Sequence, residues 1–364
     1  MNEYQDILRV FSESRADRFL RSVEGSRPIF ICTIGTTETA KIPGISAAGK
    51  NPQFTDYTPP ADVEYLYYGG CKCIGSIPVT PEGVPTPALI TKAAVDLAGM
   101  PVLVADAGSR VKPEVPFVYL GGSPGKDIRC GAAVKEATKI FENSKALGLN
   151  LARTSEFLVL GESIPGGTTT ALSVMMAMGL DAEGKVSSSM PDNPHSLKLS
   201  VAEKALKSAG LRKGDLERSP IEAIEMVGDP VQAALAGLIA GAADHVKILM
   251  AGGTQMAAVL AIVDYIASSH TSNLAIGTTE WLFKDKTSDL VGLVKQICEV
   301  PILVSRLCFS KSKHRGLRAY EFGVVKEGVG AGGASIAAIL KSSGAITCSK
   351  IQERVEMEYK GLID

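Results

Sequence analysis

Apolar runs of about five residues recur along the chain without alternating with polar positions: PIFIC at 28–32, EYLYY at 64–68, PVLVA at 101–105, EFLVL at 156–160, KILMA at 247–251 and PILVS at 301–305. Strands covered on both faces read this way, because neither side of the pleat needs polar side chains. Between the runs lie helical stretches such as AAVKEATKIFENSKALG, SVAEKALKSAG and DPVQAALAGLIAGAA. This order predicts an α/β, Rossmann-like architecture with a mainly parallel sheet flanked by helices. Residues 1–25 read as one amphipathic helix, with Ile7, Leu8, Phe11, Phe19, Leu20 and Val23 set against Arg and Glu, and 349–361 as a second charged helix. Both lie outside the strand series. We therefore expect a small helical subdomain from residues 1–26 and 341–364 beside an α/β catalytic domain of residues 27–340. Residues 34–62, rich in Gly, Pro, Thr and Ser and without period, form a loop long enough to be either functional or disordered.

Composition narrows the class. The 364 residues carry 38 Lys plus Arg against 39 Asp plus Glu, with 5% aromatics. That balance offers neither a basic groove nor a stacking platform, so nucleic acid is not an expected partner. The most apolar stretches, 233–243 and 256–263, fall short of a membrane span. The N-terminus lacks the apolar core of a signal peptide. A cytoplasmic protein without membrane partners is expected. The 7 cysteines are an odd number spread widely, which does not read as a disulfide framework. Cys71 and Cys73 lack the spacing of a zinc or redox pair, and no metal site is expected. The histidines (His195, His245, His270, His314) sit apart and read as surface or internally satisfied groups.

Candidate chemistry sits in three similar units, each an apolar run, a glycine turn and a helix of small residues: EFLVLGESIPGGTTTALSVMMAMG, KILMAGGTQMAAVLAIVDYI and EFGVVKEGVGAGGASIAAIL. In a parallel sheet such turns lie at the carboxyl ends of strands, where unpaired helix amides favour an anion. Gly166, Gly167, Thr168 and Thr169 belong to the first turn, Gly252 and Gly253 to the second, Gly328 and Gly330 to the third. Phosphate is the natural candidate, but no Walker sequence exists. GVGAGG at 328–333 has too little chain after it for a dinucleotide-binding half, so no nucleotide cofactor is expected. Two of the turns also carry an acid, Glu162 and Glu327. A carboxylate hinders phosphate binding but serves a reaction that moves a proton or builds positive charge, as glycosyl transfer at C1 of ribose 5-phosphate does. Each acid has a plainer reading, Glu327 as a solvated residue at a turn and Glu162 as a group holding its loop.

Four segments in order resemble nicotinate-nucleotide:dimethylbenzimidazole phosphoribosyltransferases. GESIPGGTT at 161–169 is similar to the family's GEMGIGNTT, GGTQMAA at 252–258 to GGFEIAA, KEGVGAGGA at 326–334 to GEGxGAA, and HSLKLSVAEKAL at 195–206 to a helix carrying LxxK. The resemblance implies a parallel-sheet fold, a small domain from both chain ends and a homodimer. It also implies transfer of phosphoribose from nicotinate mononucleotide to an aromatic base, giving an α-ribazole-phosphate-type product for the cobamide lower ligand. Carried over by position, Glu327 would be the general base and Glu162 the second acid. Gly166, Gly167, Thr168 and Thr169 would line the phosphoribosyl pocket, Lys198 would be the phosphate counter-ion and Ser312 would lie near the phosphate. The family's Asp-His-Gly segment and NFL.GGAAIN helix have no clear equivalents, residues 86–99 giving only a faint echo, so the chain reads as a divergent branch. Two other readings of the same residues are a noncatalytic nucleotide-binding or regulatory protein and a nucleosidase-type glycosyl hydrolase in which Glu327 activates water.

Overall fold

A computed structural model describes residues 4–49, 51–80 and 82–363. Its strands are β1 (Ile7–Phe11), β2 (Pro28–Gly35), β3 (Val102–Gly108), β4 (Val118–Tyr119), β5 (Phe157–Ser163), β6 (Lys247–Ala251), β7 (Leu274–Thr279) and β8 (Ile302–Ser305). They form one sheet in the order β1-β8-β7-β6-β5-β2-β3-β4. Every pairing is parallel except that of β1 with β8. The expected α/β class, a mainly parallel sheet between helices, is the one observed.

The pleat explains the unbroken apolar runs. Leu158 and Leu160 of β5 enter the core beneath helices such as Gly167–Ala177 and Pro230–Ala242. Their neighbours Phe157 and Val159 enter the opposite core, beneath Ala88–Ala98 and Ala331–Lys341. Successive side chains point to opposite faces, and both faces are covered.

Three expectations are corrected. The helix expected over 1–25 is strand β1 followed by helix Glu13–Val23, with Ser12 between them at φ 53°. Ile7 and Leu8 pair antiparallel with Ser305 and Val304 at the sheet edge, a partner that local periodicity cannot reveal. Residues 64–68 are the end of helix Thr58–Tyr68, which opens with Pro59 and Pro60 and closes at left-handed Gly69. Its residues 59–66 are buried on all sides, so no helical stripe marked it. The apolar residues before Glu327 are not a strand either. Residues 319–322 form a short 3-10 turn and Val325 has φ 54°, which no strand accommodates. Strand β7 was not anticipated.

The two chain ends meet: Gly25 N–H donates to Leu340 O (3.0 Å), and Cys348 N–H to the Asp6 carboxylate (2.8 Å). Among the described residues no helix is long and apolar enough to cross a membrane.

Candidate active site

Strand order decides where a ligand can sit. From β2 the sheet runs outward through β3 and β4, and from the adjacent β5 it runs the other way through β6, β7 and β8. The segments leaving β2 and β5 therefore diverge, and a crevice opens at their carboxyl ends. A cleft of about 1000 Å³, counting the solvent at its mouth, occupies that crevice. Its walls come from residues 45–49 after β2, 162–168 after β5, 253–255 after β6, and 325–329 ahead of helix Ala331–Lys341.

Glycine lets these walls approach one another. A Cβ on Gly330, at φ +69°, would lie 3.0 Å from Gly161 Cα of β5, and one on Gly253 would lie 3.8 Å from Glu327 Cγ. The three glycine turns thus converge, although only two of them follow strands directly.

Glu327 is fixed by its backbone surroundings. Val325 and Val329 on either side of it hold φ of 54° and 53°, a conformation that β-branched residues seldom adopt. The flanking amides are anchored, Val325 N–H to Ser189 O (2.9 Å) and Val329 N–H to Glu162 O (3.1 Å). In that pose Glu327 Oε2 accepts from Thr279 N–H (2.9 Å) and Thr278 Oγ1 (3.3 Å), and Oε1 from the amides of Gly328 (3.1 Å) and Gly332 (3.3 Å). Burial pushes its pKa up to about 7, a rise held back by those amides.

Glu162 has fewer donors, Ile164 N–H (3.1 Å) and Gln255 Nε2 (3.0 Å). Burial, then the charges of Asp229 and Glu327, push it up to about 8. The two glutamates titrate as a pair, and hydrogen bonding decides which ionises first. Glu327, with four donors to its carboxylate, gives up the proton before Glu162. Near neutral pH the arrangement is one base and one acid in a single cleft.

Gly166, Gly167 and Thr168 line the cleft, as do Gly253 and Gly328. Gly166 is left-handed (φ 79°) and begins helix Gly167–Ala177, whose N-terminal end borders the crevice, with Gly167 N–H donating to Ile164 O (3.3 Å) and Thr169 N–H to Gly166 O (3.0 Å). Thr169, Gly252 and Gly330 pack behind the wall and do not line it. Neither do Lys198 and Ser312. Lys198 is fully buried, donating from Nζ to Ser187 O (2.5 Å) and Asn193 Oδ1 (3.2 Å), and burial together with nearby Lys326 lowers its pKa to about 7. It braces the loop at 187–189, which does line the cleft. Ser312 lies in the loop after β8, where its carbonyl accepts from Arg318 Nη1 (2.6 Å).

Several cleft residues were not anticipated. Lys326 lines the wall and donates from Nζ to Ser188 O (2.9 Å) and Met190 O (3.0 Å), with the Asp285 carboxylate 3.0 Å away. Its position beside Glu327 was the only available signal. Asp62 reaches the cleft from helix Thr58–Tyr68, and Gln255 from the turn after β6. Long-range folding brings Asp62 in, and nothing in its local sequence marks it, whereas Gln255 sits two residues after Gly253 in a glycine turn already singled out. Among the described residues no group of His, Cys, Asp or Glu has the arrangement of a metal site.

The family model for "Phosphoribosyltransferase" matches residues 91–278, more than half of the chain. A UPF0284 protein of Methanothermobacter thermautotrophicus is 45% identical over 358 residues, spanning 97% of this chain and 98% of that protein. A UPF0284 protein of Sulfolobus acidocaldarius is 47% identical over 335 residues, 92% of this chain and 95% of its own. Among solved structures, a nicotinate-nucleotide-dimethylbenzimidazole phosphoribosyltransferase from Thermus thermophilus superposes with a TM-score of 0.58 at 16% identity, over 94% of this chain and 92% of that one. At that identity the likeness is one of fold. The chain thus belongs to the phosphoribosyltransferase family that the model describes, in the branch it shares with the UPF0284 proteins.

Proposed function

We propose that this protein transfers phosphoribose from nicotinate mononucleotide to an aromatic nitrogen base, giving an α-ribazole-phosphate-type product for a cobamide lower ligand. The observation that carries the reading is the pair Glu162 and Glu327 in one cleft beside the N-terminus of helix Gly167–Ala177. The phosphate lies against the Gly166–Thr168 turn, at the positive end of the helix dipole. The acceptor nitrogen attacks C1 of the ribose. The C1–N bond to nicotinate breaks, its electron pair returns to the pyridine ring, and the proton of the acceptor base passes to Glu327. Nicotinate leaves from a cationic pyridinium and needs no protonation. The glutamate pair carries about one negative charge near neutral pH and faces the positive charge that develops at C1. Lys198, behind the wall, and Lys326, within it, fix the carbonyls of Ser187, Ser188 and Met190 so that this loop keeps its shape around the sugar phosphate.

Purified protein incubated with nicotinate mononucleotide and a panel of bases should release nicotinate. No release with dimethylbenzimidazole, hydroxybenzimidazole or adenine would refute the reading. A homodimer belongs to the same reading, and light scattering at working concentration checks it.

A further inference from the structure

Part of the cleft wall is apolar. Ile45, Pro78, Val79, Val84 and Pro87 contribute to it, and a Cβ on Gly328, the residue after Glu327, would lie 3.2 Å from Pro87 Cγ. A smaller cavity lined by Phe54, Tyr57, Ile74 and Ile77 adjoins it, sharing Gly49, Thr58, Pro78 and Val79. A flat aromatic ring suits such a wall, and Glu327 lines the same cleft. One acid interrupts it. Asp62 is 2% exposed and lines the cleft, with Oδ1 accepting from Thr86 Oγ1 (2.7 Å) and Oδ2 from Ser163 Oγ (2.7 Å). No cation pairs with it among the described residues.

Each carboxylate oxygen can accept a second hydrogen, so two hydroxyls leave Asp62 with spare acceptor capacity. A buried acid with spare capacity in an apolar wall lowers stability unless something completes it. The two hydroxyls hold the carboxyl in one orientation, one of them on Ser163, the residue after Glu162. Its place and fixed orientation are those of a group that reads a ligand.

We propose that Asp62 selects the acceptor: the site takes an aromatic nitrogen base bearing an amino or hydroxyl donor on the edge away from the attacking nitrogen, and Asp62 accepts that hydrogen. This rests on the phosphoribosyl-transfer reading above and adds the class of base. A base whose far edge carries only methyl groups, such as dimethylbenzimidazole, leaves the Asp62 carboxyl covered and uncompensated, so it binds more weakly. Burial pushes the Asp62 carboxyl up to about 7, so near neutral pH it is also available as a protonated donor to a ring nitrogen next to an amino group, the arrangement on an aminopurine edge.

The test uses matched bases that differ only in the donor: adenine against purine, and hydroxybenzimidazole against its methoxy ether. Two quantities are measured, kcat/KM for nicotinate release with nicotinate mononucleotide, and base affinity by calorimetry without nucleotide. The wild type should favour the donor-bearing member of each pair by about tenfold or more in both. Asp62→Leu should abolish the preference, and Asp62→Asn, whose amide carbonyl still accepts, should retain part of it. Melting curves establish that each variant is folded, and Asp62→Asn carries the test should Asp62→Leu not fold. Equal use of both members by the wild type, or a preference that stays at its wild-type size in a folded Asp62→Leu or Asp62→Asn variant, overturns the inference while leaving transfer intact. If no base binds and none supports release, the inference and the transfer reading fall together.

Discussion

At the scale of single residues, the proposed chemistry rests on two carboxylates kept unlike each other by their donors. Glu327 meets two backbone amides through Oε1, and an amide and a hydroxyl through Oε2, whereas Glu162 meets one amide and one side-chain donor. Glu327→Gln should lower kcat by about 10²–10⁴-fold, the usual range for a proton-transfer group, with mononucleotide affinity unchanged by titration calorimetry. Lost affinity with intact turnover would remove Glu327 from the role of base. The pH profile has a direction as well. A base must be ionised, so kcat/KM should rise with pH through about 7, where Glu327 loses its proton, and the rising limb should be absent in Glu327→Gln. Both limbs of a full profile belong to the coupled pair rather than to one residue. The acids differ in legibility. Glu162 and Glu327 stand next to glycine turns and could be picked out from the chain alone, while Asp62 sits inside a run of ordinary helix residues with no local mark.

At the scale of elements, the helix Ala331–Lys341 sets the site by how closely it crosses the sheet. A Cβ on Gly332 would lie 2.1 Å from the Thr278 carbonyl carbon, and one on Gly333 2.3 Å from Ala251 Cβ. These glycines are required by packing against strand ends, more than by ligand approach. Gly332→Ala should destabilise the fold by roughly 1–3 kcal/mol, as overpacking does, and should weaken activity because the Gly332 amide is a donor to Glu327. Gly184 has nothing within 4 Å of an added Cβ, so Gly184→Ala carries only the strain of its φ of +69° and is the control. A Gly332→Ala melting temperature equal to that of the control would show that the helix has room to move. Most elements were legible, because strands buried on both faces leave continuous apolar runs. Helix Thr58–Tyr68 was not, since burial on all sides removes the polar stripe by which a helix is recognised.

At the scale of the whole molecule, acids are gathered in and behind the cleft at the expense of stability. Asp62, Glu162 and Glu327 in its wall, and Asp229, which caps helix Pro230–Ala242, have carboxyl pKa values raised by burial, to about 7, 8, 7 and 6. A raised acid binds its proton more tightly in the folded state, so its contribution is complete below the unfolded pKa and is lost as pH rises through the folded one. Melting temperature should therefore fall between about pH 4 and 8. Above 7 the lowered pKa of Lys198 acts in the opposite sense and flattens the decline. Glu162→Gln should melt higher than the wild type at pH 7, by roughly 1 kcal/mol or more, and should gain little at pH 4. An equal gain at both values would place the effect in packing instead. The sequence by itself determined the α/β class, the parallel strands and the two glutamates at glycine turns, because pleat periodicity and turn chemistry act over a few residues. Only the tertiary structure decided that β1 closes the sheet edge, that Lys198 braces a loop behind the wall, and that Asp62, Lys326 and Gln255 complete the cleft. Those outcomes depend on strand order and on contacts between segments far apart in the chain, and local propensity carries no record of either.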